Sequence, residues 1–183
     1  MSYPGIWQHS QSPLEYSSIR DLGAGWANYG DSLYTTGSRR TILATNREKI
    51  TNNGLNSVNT VTDQLPEGIP FLWDTTLNRY AVSPDVEGAV AFVRISFQAA
   101  FTGGSNAWLS IEFDAGGGII IWGNTVTFPR GIDIVHRFSF TALFFGSSTL
   151  LVLPGIDAYL EPSNDTDFFG FSTMIYVPYR GGF

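Results

Sequence analysis

Residues 66–101 read PEGIPFLWDTTLNRYAVSPDVEGAVAFVRISFQAAF, and the second half of that stretch decides the fold. Ala91, Val93, Ile95, Phe97, Ala99 and Phe101 share one face, and Arg94, Ser96 and Gln98 share the other. That period of two marks a strand with one buried side. Ahead of it, Leu65-Pro66-Glu67-Gly68 predicts a turn and Phe71-Leu72-Trp73 a short apolar strand. Asp74-Thr75-Thr76-Leu77-Asn78 then predicts a reversal, because these side chains bond their own backbone. The expected local arrangement is an antiparallel meander that ends in the long strand.

The same alternation continues toward the C-terminus. Leu109, Ile111 and Phe113 oppose Trp108, Ser110 and Glu112; Asp114 to Gly118 is a reversal, and Ile119 to Val126 is the next strand. A long strand is expected over 132–145, with Ile132, Ile134, His136, Phe138, Phe140, Ala142 and Phe144 on one face. Thr149 to Leu153, a brief piece over 156–160 and a closing strand over 168–179 follow. The last has Phe169, Phe171, Thr173, Ile175 and Val177 on one side. Toward the N-terminus, Thr41 to Ala44 is a short strand, Asn52-Asn53-Gly54 a turn and 55–64 a polar link.

Beyond Arg39 no stretch of a dozen residues carries apolar positions at helical spacing without Gly or Pro. Eight to ten short antiparallel strands punctuated by turn residues predict an all-β chain, a jelly-roll-type β-sandwich, with an immunoglobulin-like sandwich as the structural alternative. Residues 39–183 form the sandwich in this reading, and residues 1–38 an extended arm. The arm has neither periodicity, yet it holds Ile6, Trp7, Tyr16, Trp26, Tyr29 and Tyr34. Segments that stay free in water are depleted in such residues, so the arm is expected to lie on a surface, its own domain or a partner. Tyr3, Ile6, Trp7, Trp26 and Tyr29 are the candidate partner-binding anchors.

Composition narrows the function. The 183 residues carry a net charge of −6, only 14% charged and 15% aromatic residues, 20 glycines and no cysteine. Thiolate metal sites and disulfides are therefore excluded, and the acidic balance argues against nucleic-acid phosphates as the target. The first residues lack a basic segment followed by an apolar one, so a secretory signal is not expected, and no apolar run reaches bilayer-spanning length. A soluble protein with no nucleic-acid or membrane partner is expected.

Catalytic patterns are weak. The two histidines are His9 and His136, the second on an otherwise apolar face where a structural imidazole is the plainer reading. No Gly-x-Ser-x-Gly elbow occurs, and Gly23-Ala24-Gly25 with Gly30 lacks the Lys-Ser/Thr of a phosphate loop. Asp157, Glu161, Asn164, Asp165 and Asp167 could supply oxygens to a hard cation, but their spacing matches no EF-hand, and a solvated acidic loop is the simpler account. No enzyme activity, metal or cofactor is expected. Trp108 and Trp122 fill a second layer of the sandwich or serve a lectin-like sugar platform.

Tyr29-Gly30-Asp31-Ser32, Asn53-Gly54, Leu65-Pro66-Glu67-Gly68, Leu72-Trp73-Asp74-Thr75-Thr76 and Val93-Arg94-Ile95-Ser96-Phe97 together resemble the layout of small virion proteins of tailed bacteriophages. These are jelly-roll proteins, often trimeric, that decorate the head or form head fibres. The resemblance covers residues 29–101 by motif and the rest by strand pattern. It implies a capsid decoration protein with no catalytic residues, a homotrimer bound to the major capsid protein on the virion surface and made in the host cytoplasm. The alternative is a carbohydrate- or receptor-binding module of a fibre or tail.

Overall fold

A computed structural model describes residues 24–55, 60–66, 68–81, 90–102, 106–129, 134–145 and 155–179. Among these residues there is no helix, and the chain forms β1 (Gly25–Gly30), β2 (Arg40–Ile42), β3 (Glu48–Lys49), β4 (Trp73–Asp74), β5 (Arg79–Tyr80), β6 (Val90–Phe101), β7 (Asn106–Asp114), β8 (Ile120–Pro129), β9 (Val135–Phe145), β10 (Asp157–Pro162) and β11 (Thr166–Tyr179). Every pairing is antiparallel. The expected strand at 149–153 lies outside the described residues.

Two sheets face each other. In the first the order is β1-β11-β6-β9, with β2 continuing the line of β1 along β11; in the second it is β3-β10-β7-β8. The pairings nest: β7 with β8, β6 with β9, β3 with β10 and β2 with β11. A long antiparallel ribbon rolled so that its successive pairs alternate between two sheets is a jelly roll, as the strand pattern predicts.

Each long strand sends alternate side chains inward. Val93, Ile95, Phe97, Ala99 and Phe101 of β6 are buried, and so are Phe138, Phe140, Ala142 and Phe144 of β9. Opposite them, Leu109, Ile111 and Phe113 of β7 and Ala158 and Leu160 of β10 are fully enclosed. Phe113 meets Phe144 edge to face at 5.1 Å, which ties the sheets together, and Phe97 stacks on Phe138 at 5.3 Å. Each such side chain contributes about 1.5–3 kcal/mol through burial.

Two expectations change. The meander does not form: β4 pairs with β5, which bridges to Ile156 through Tyr80, while β6 lies between β11 and β9. A strand of 12 residues with a continuous buried face gains hydrogen bonds along both edges at the centre of a sheet, which a two-residue neighbour cannot provide. The β4–β5 ribbon instead closes one end of the core, with Trp73 against Tyr80 at 4.8 Å and Tyr80 against Phe113 at 5.6 Å.

The second change concerns the arm. Residues 25–30, assigned to it from sequence, form an edge strand registered along all of Ser172 to Val177. Its free side is covered by residues 61–64, since Trp26 N–H donates to the Gln64 carbonyl and Asn28 and Val61 exchange both backbone bonds. Gly25 is required there, because a Cβ would sit 2.5 Å from Pro66 N.

Candidate functional site

The outer face of the first sheet is where exposed chemistry collects. Cross-strand register sets Trp26 beside Tyr176, Tyr176 beside Phe92 and Phe92 beside Leu143, an apolar row spanning β1, β11, β6 and β9. Tyr176, Phe92 and Leu143 are about two-fifths exposed, and the Phe92 and Tyr176 rings stack at 6.3 Å. The next row is Asn28, Met174, Arg94 and Thr141, and the one after it Gly30, Ser172, Ser96 and Ser139. The face therefore grades from apolar to polar along the strands.

Beside the apolar row lies a trough made of two adjoining depressions of about 490 and 440 Å³ that share Arg94, Ser96 and Ser172. Trp26, Asn28 and Met174 line one end, and Gln98, Arg137 and Gly170 the other. Gly170 takes φ of +65° at a bulge in β11 between Phe169 and Ser172. This extra residue keeps both Phe168 and Phe171 facing the core, with Phe169 buried on the other side beneath the Arg39 guanidinium, and leaves a dip in the outer surface. Arg94 Nε donates to Ser139 Oγ at 2.8 Å, the Ser96 and Ser139 hydroxyls lie 3.3 Å apart, and Ser172 Oγ donates to Asn28 Oδ1 at 3.1 Å.

Charge is distributed unevenly. Arg39, Arg40, Arg47, Lys49 and Arg79 each have a carboxylate within 4.0 Å. Among the described residues Arg94 and Arg137 have none, and both belong to the trough.

Sequence-derived anchors divide into three groups. Trp26 is half-buried at the trough rim. Tyr29 is not available to a partner, which corrects its assignment: it is 4% exposed, and the Leu72 N–H donates to its hydroxyl at 2.9 Å. Burial pushes its phenol above the ordinary range, partly offset by the Leu72 and Trp73 amides. Tyr3, Ile6 and Trp7 lie outside the described residues.

The short motifs that carry the family resemblance meet in space as scaffold. Asn52 is completely buried; its Nδ2 donates to the Tyr29 carbonyl, its Oδ1 accepts from Gly54 N–H, and its carbonyl accepts from Trp73 Nε1. Asp31 accepts from the Leu33, Tyr34 and Asn53 amides. Asp74 Oδ1 accepts from Thr76 and Leu77 N–H, which fixes the reversal before Asn78.

The other candidates are structural too. Asp157 pairs with Lys49 and Arg79, Asp165 accepts from Ala44 N–H, and Asp167 accepts from the Thr41 hydroxyl. These carboxylates do not converge, and no group of three metal-ligating side chains occurs among the described residues. His136 packs near Phe101 and Phe138 at 6.1 and 6.3 Å between ring centres. Trp108 is half-buried on the outer side of the second sheet, and Trp122 packs on Phe113 at 5.4 Å, filling the second layer. The trough went unrecognised in the sequence because its residues come from four separated strands. The legible sign was Arg94, Ser96 and Gln98 on the polar side of β6.

No family model matches the chain, and no curated protein matches it. Among solved structures, Eiger TNF from S. frugiperda superposes with a TM-score of 0.53 at 9% identity, over 88% of this chain and 96% of that one. PRD1 vertex protein P5 superposes with a TM-score of 0.42 at 13% identity, over 85% and 96%. At such identities the likeness to Eiger is one of fold alone.

Proposed function

We propose that this protein is a non-enzymatic structural component of a virion, a decoration protein on the head of a tailed bacteriophage. It binds the major capsid protein lattice as a homotrimer and holds neighbouring shell subunits together. The observation that carries the reading is the apolar row Trp26, Tyr176, Phe92 and Leu143 on an open sheet face. Aromatic side chains placed this way are the material of protein contacts, and covering the exposed part of each contributes on the order of 1 kcal/mol. The motif resemblance over residues 29–101 supports the viral assignment.

Tyr176, Phe92 and Leu143 of the row join the copies to one another and leave Trp26 at the trough rim, and the segment before β1, with Tyr3, Ile6 and Trp7, binds the shell. A ligand that binds only the assembled lattice stabilises it by mass action, and a three-fold protein on a three-fold site repeats each contact. Removing residues 1–22 leaves β1 intact, so the shortened protein is expected to fold and trimerise but to lose head binding in a cosedimentation assay. Full head occupancy after this deletion overturns the arm's role. Tyr176→Glu is expected to give a folded monomer by sedimentation; an unchanged oligomer overturns the role of the row.

A further inference from the structure

We propose that the trough on the first sheet binds a saccharide bearing a carboxylate. The inference goes beyond head decoration and does not rest on it. On a chain of net charge −6, the outward positions of β1, β6, β9 and the Ser172–Val177 part of β11 present Arg94 and Arg137 and no carboxylate among the described residues. Every other described cation is neutralised by a neighbour. Two guanidiniums with no carboxylate beside them among the described residues, on a chain of net negative charge, select an anion.

The shape and lining select a sugar. Arg94 is held by its Nε on Ser139 Oγ, which leaves the two terminal nitrogens directed as a fork for a carboxylate. Two strand spacings across and two residues along from Arg94, about 12 Å, the half-buried Trp26 offers its ring to the apolar side of a pyranose. One residue pair beyond Arg94 along the strands, the Ser96 and Ser172 hydroxyls suit sugar hydroxyls. Arg137 is displaced from Arg94 by four residues along the neighbouring strand, about 14 Å, the reach of a short acidic oligosaccharide. A phosphate-rich polymer would demand a broader cationic surface than these two residues supply.

The test uses the full chain and isothermal titration with tetragalacturonate, its neutral methyl ester, 3′-sialyllactose and lactose. Binding of one or both acidic sugars with a Kd of about 1 mM or tighter is expected, and the two acid arms separate uronic from sialic carboxylates. The matching neutral sugar, Arg94→Gln and 0.5 M salt are each expected to weaken binding about tenfold or more. Arg94 is exposed, so the thermal midpoint of Arg94→Gln should match the parent, and Arg137→Gln provides a second, independent variant. Equal affinity for acid and ester, an unaltered Arg94→Gln, or no binding of either acid at about 10 mM overturns the proposal. So does an oligomer that Arg94→Glu dissociates, since a second copy would then occupy the trough.

Discussion

The hydroxyl of Tyr29 accepts the backbone N–H of Leu72 at 2.9 Å, joining the first edge strand to the segment that enters the β4–β5 ribbon. Both residues are buried. Tyr29→Phe keeps the ring but orphans a buried amide, which costs about 1–3 kcal/mol. Urea unfolding should show a lower midpoint with an unchanged slope, and an unchanged midpoint would mean that water replaces the phenol.

Asp157 stands between Lys49 at 2.7 Å and Arg79 at 3.2 Å, with only 14% of its side chain exposed. Asp157→Asn removes a shared counter-charge from two partly buried cations, and a loss of about 3 kcal/mol is expected. The loss should shrink in an Arg79→Met background, because one stranded cation has been removed. Equal losses in the two backgrounds would show that the pair does not act together.

Alkali should unfold the protein through its core tyrosines. Burial raises the Tyr29 and Tyr80 phenols above their ordinary value near 10, Tyr80 strongly, with the Thr173 hydroxyl opposing the shift. The folded state then holds protons that the unfolded chain releases. Their stabilisation is complete below about pH 10 and falls as pH rises through the folded values. Denaturation midpoints measured from pH 8 to 12 should drop above 10, and Tyr80→Phe should flatten the drop; a parallel fall in the variant would assign it elsewhere.

Legibility in the sequence followed the range of the interaction. The inward sets of β6, β7 and β11 were readable because alternation is local, as was the turn at Gly54, which takes φ of +59°. Pairing was not readable: β6 neighbours β11 rather than β5, since its partners are chosen by strand length and by closure of the sandwich. The first strand was hidden for a different reason. Its inward set is Gly25, Ala27 and Tyr29 and its outward set Trp26, Asn28 and Gly30, which gives no apolar rhythm because close backbone contact with Pro66 demands glycine at position 25. Tyr29 looked like surface aromatic for the same reason, and Asn52 looked like an ordinary turn residue although it is completely buried.

The central position of β11 bears on synthesis. It separates β1 and β2 from β6, and it leaves the ribosome after every other described strand. Until it emerges, β1 and β2 lack their sheet neighbour and β6 shows one bare side, so a nascent chain holds aromatic strands unmatched until then. Closure over such long sequence separations is slow, and exposed strand edges invite association in the meantime. The sandwich is therefore expected to close only once β11 has emerged, and a stalled or clipped β11 would yield aggregate rather than a smaller sandwich.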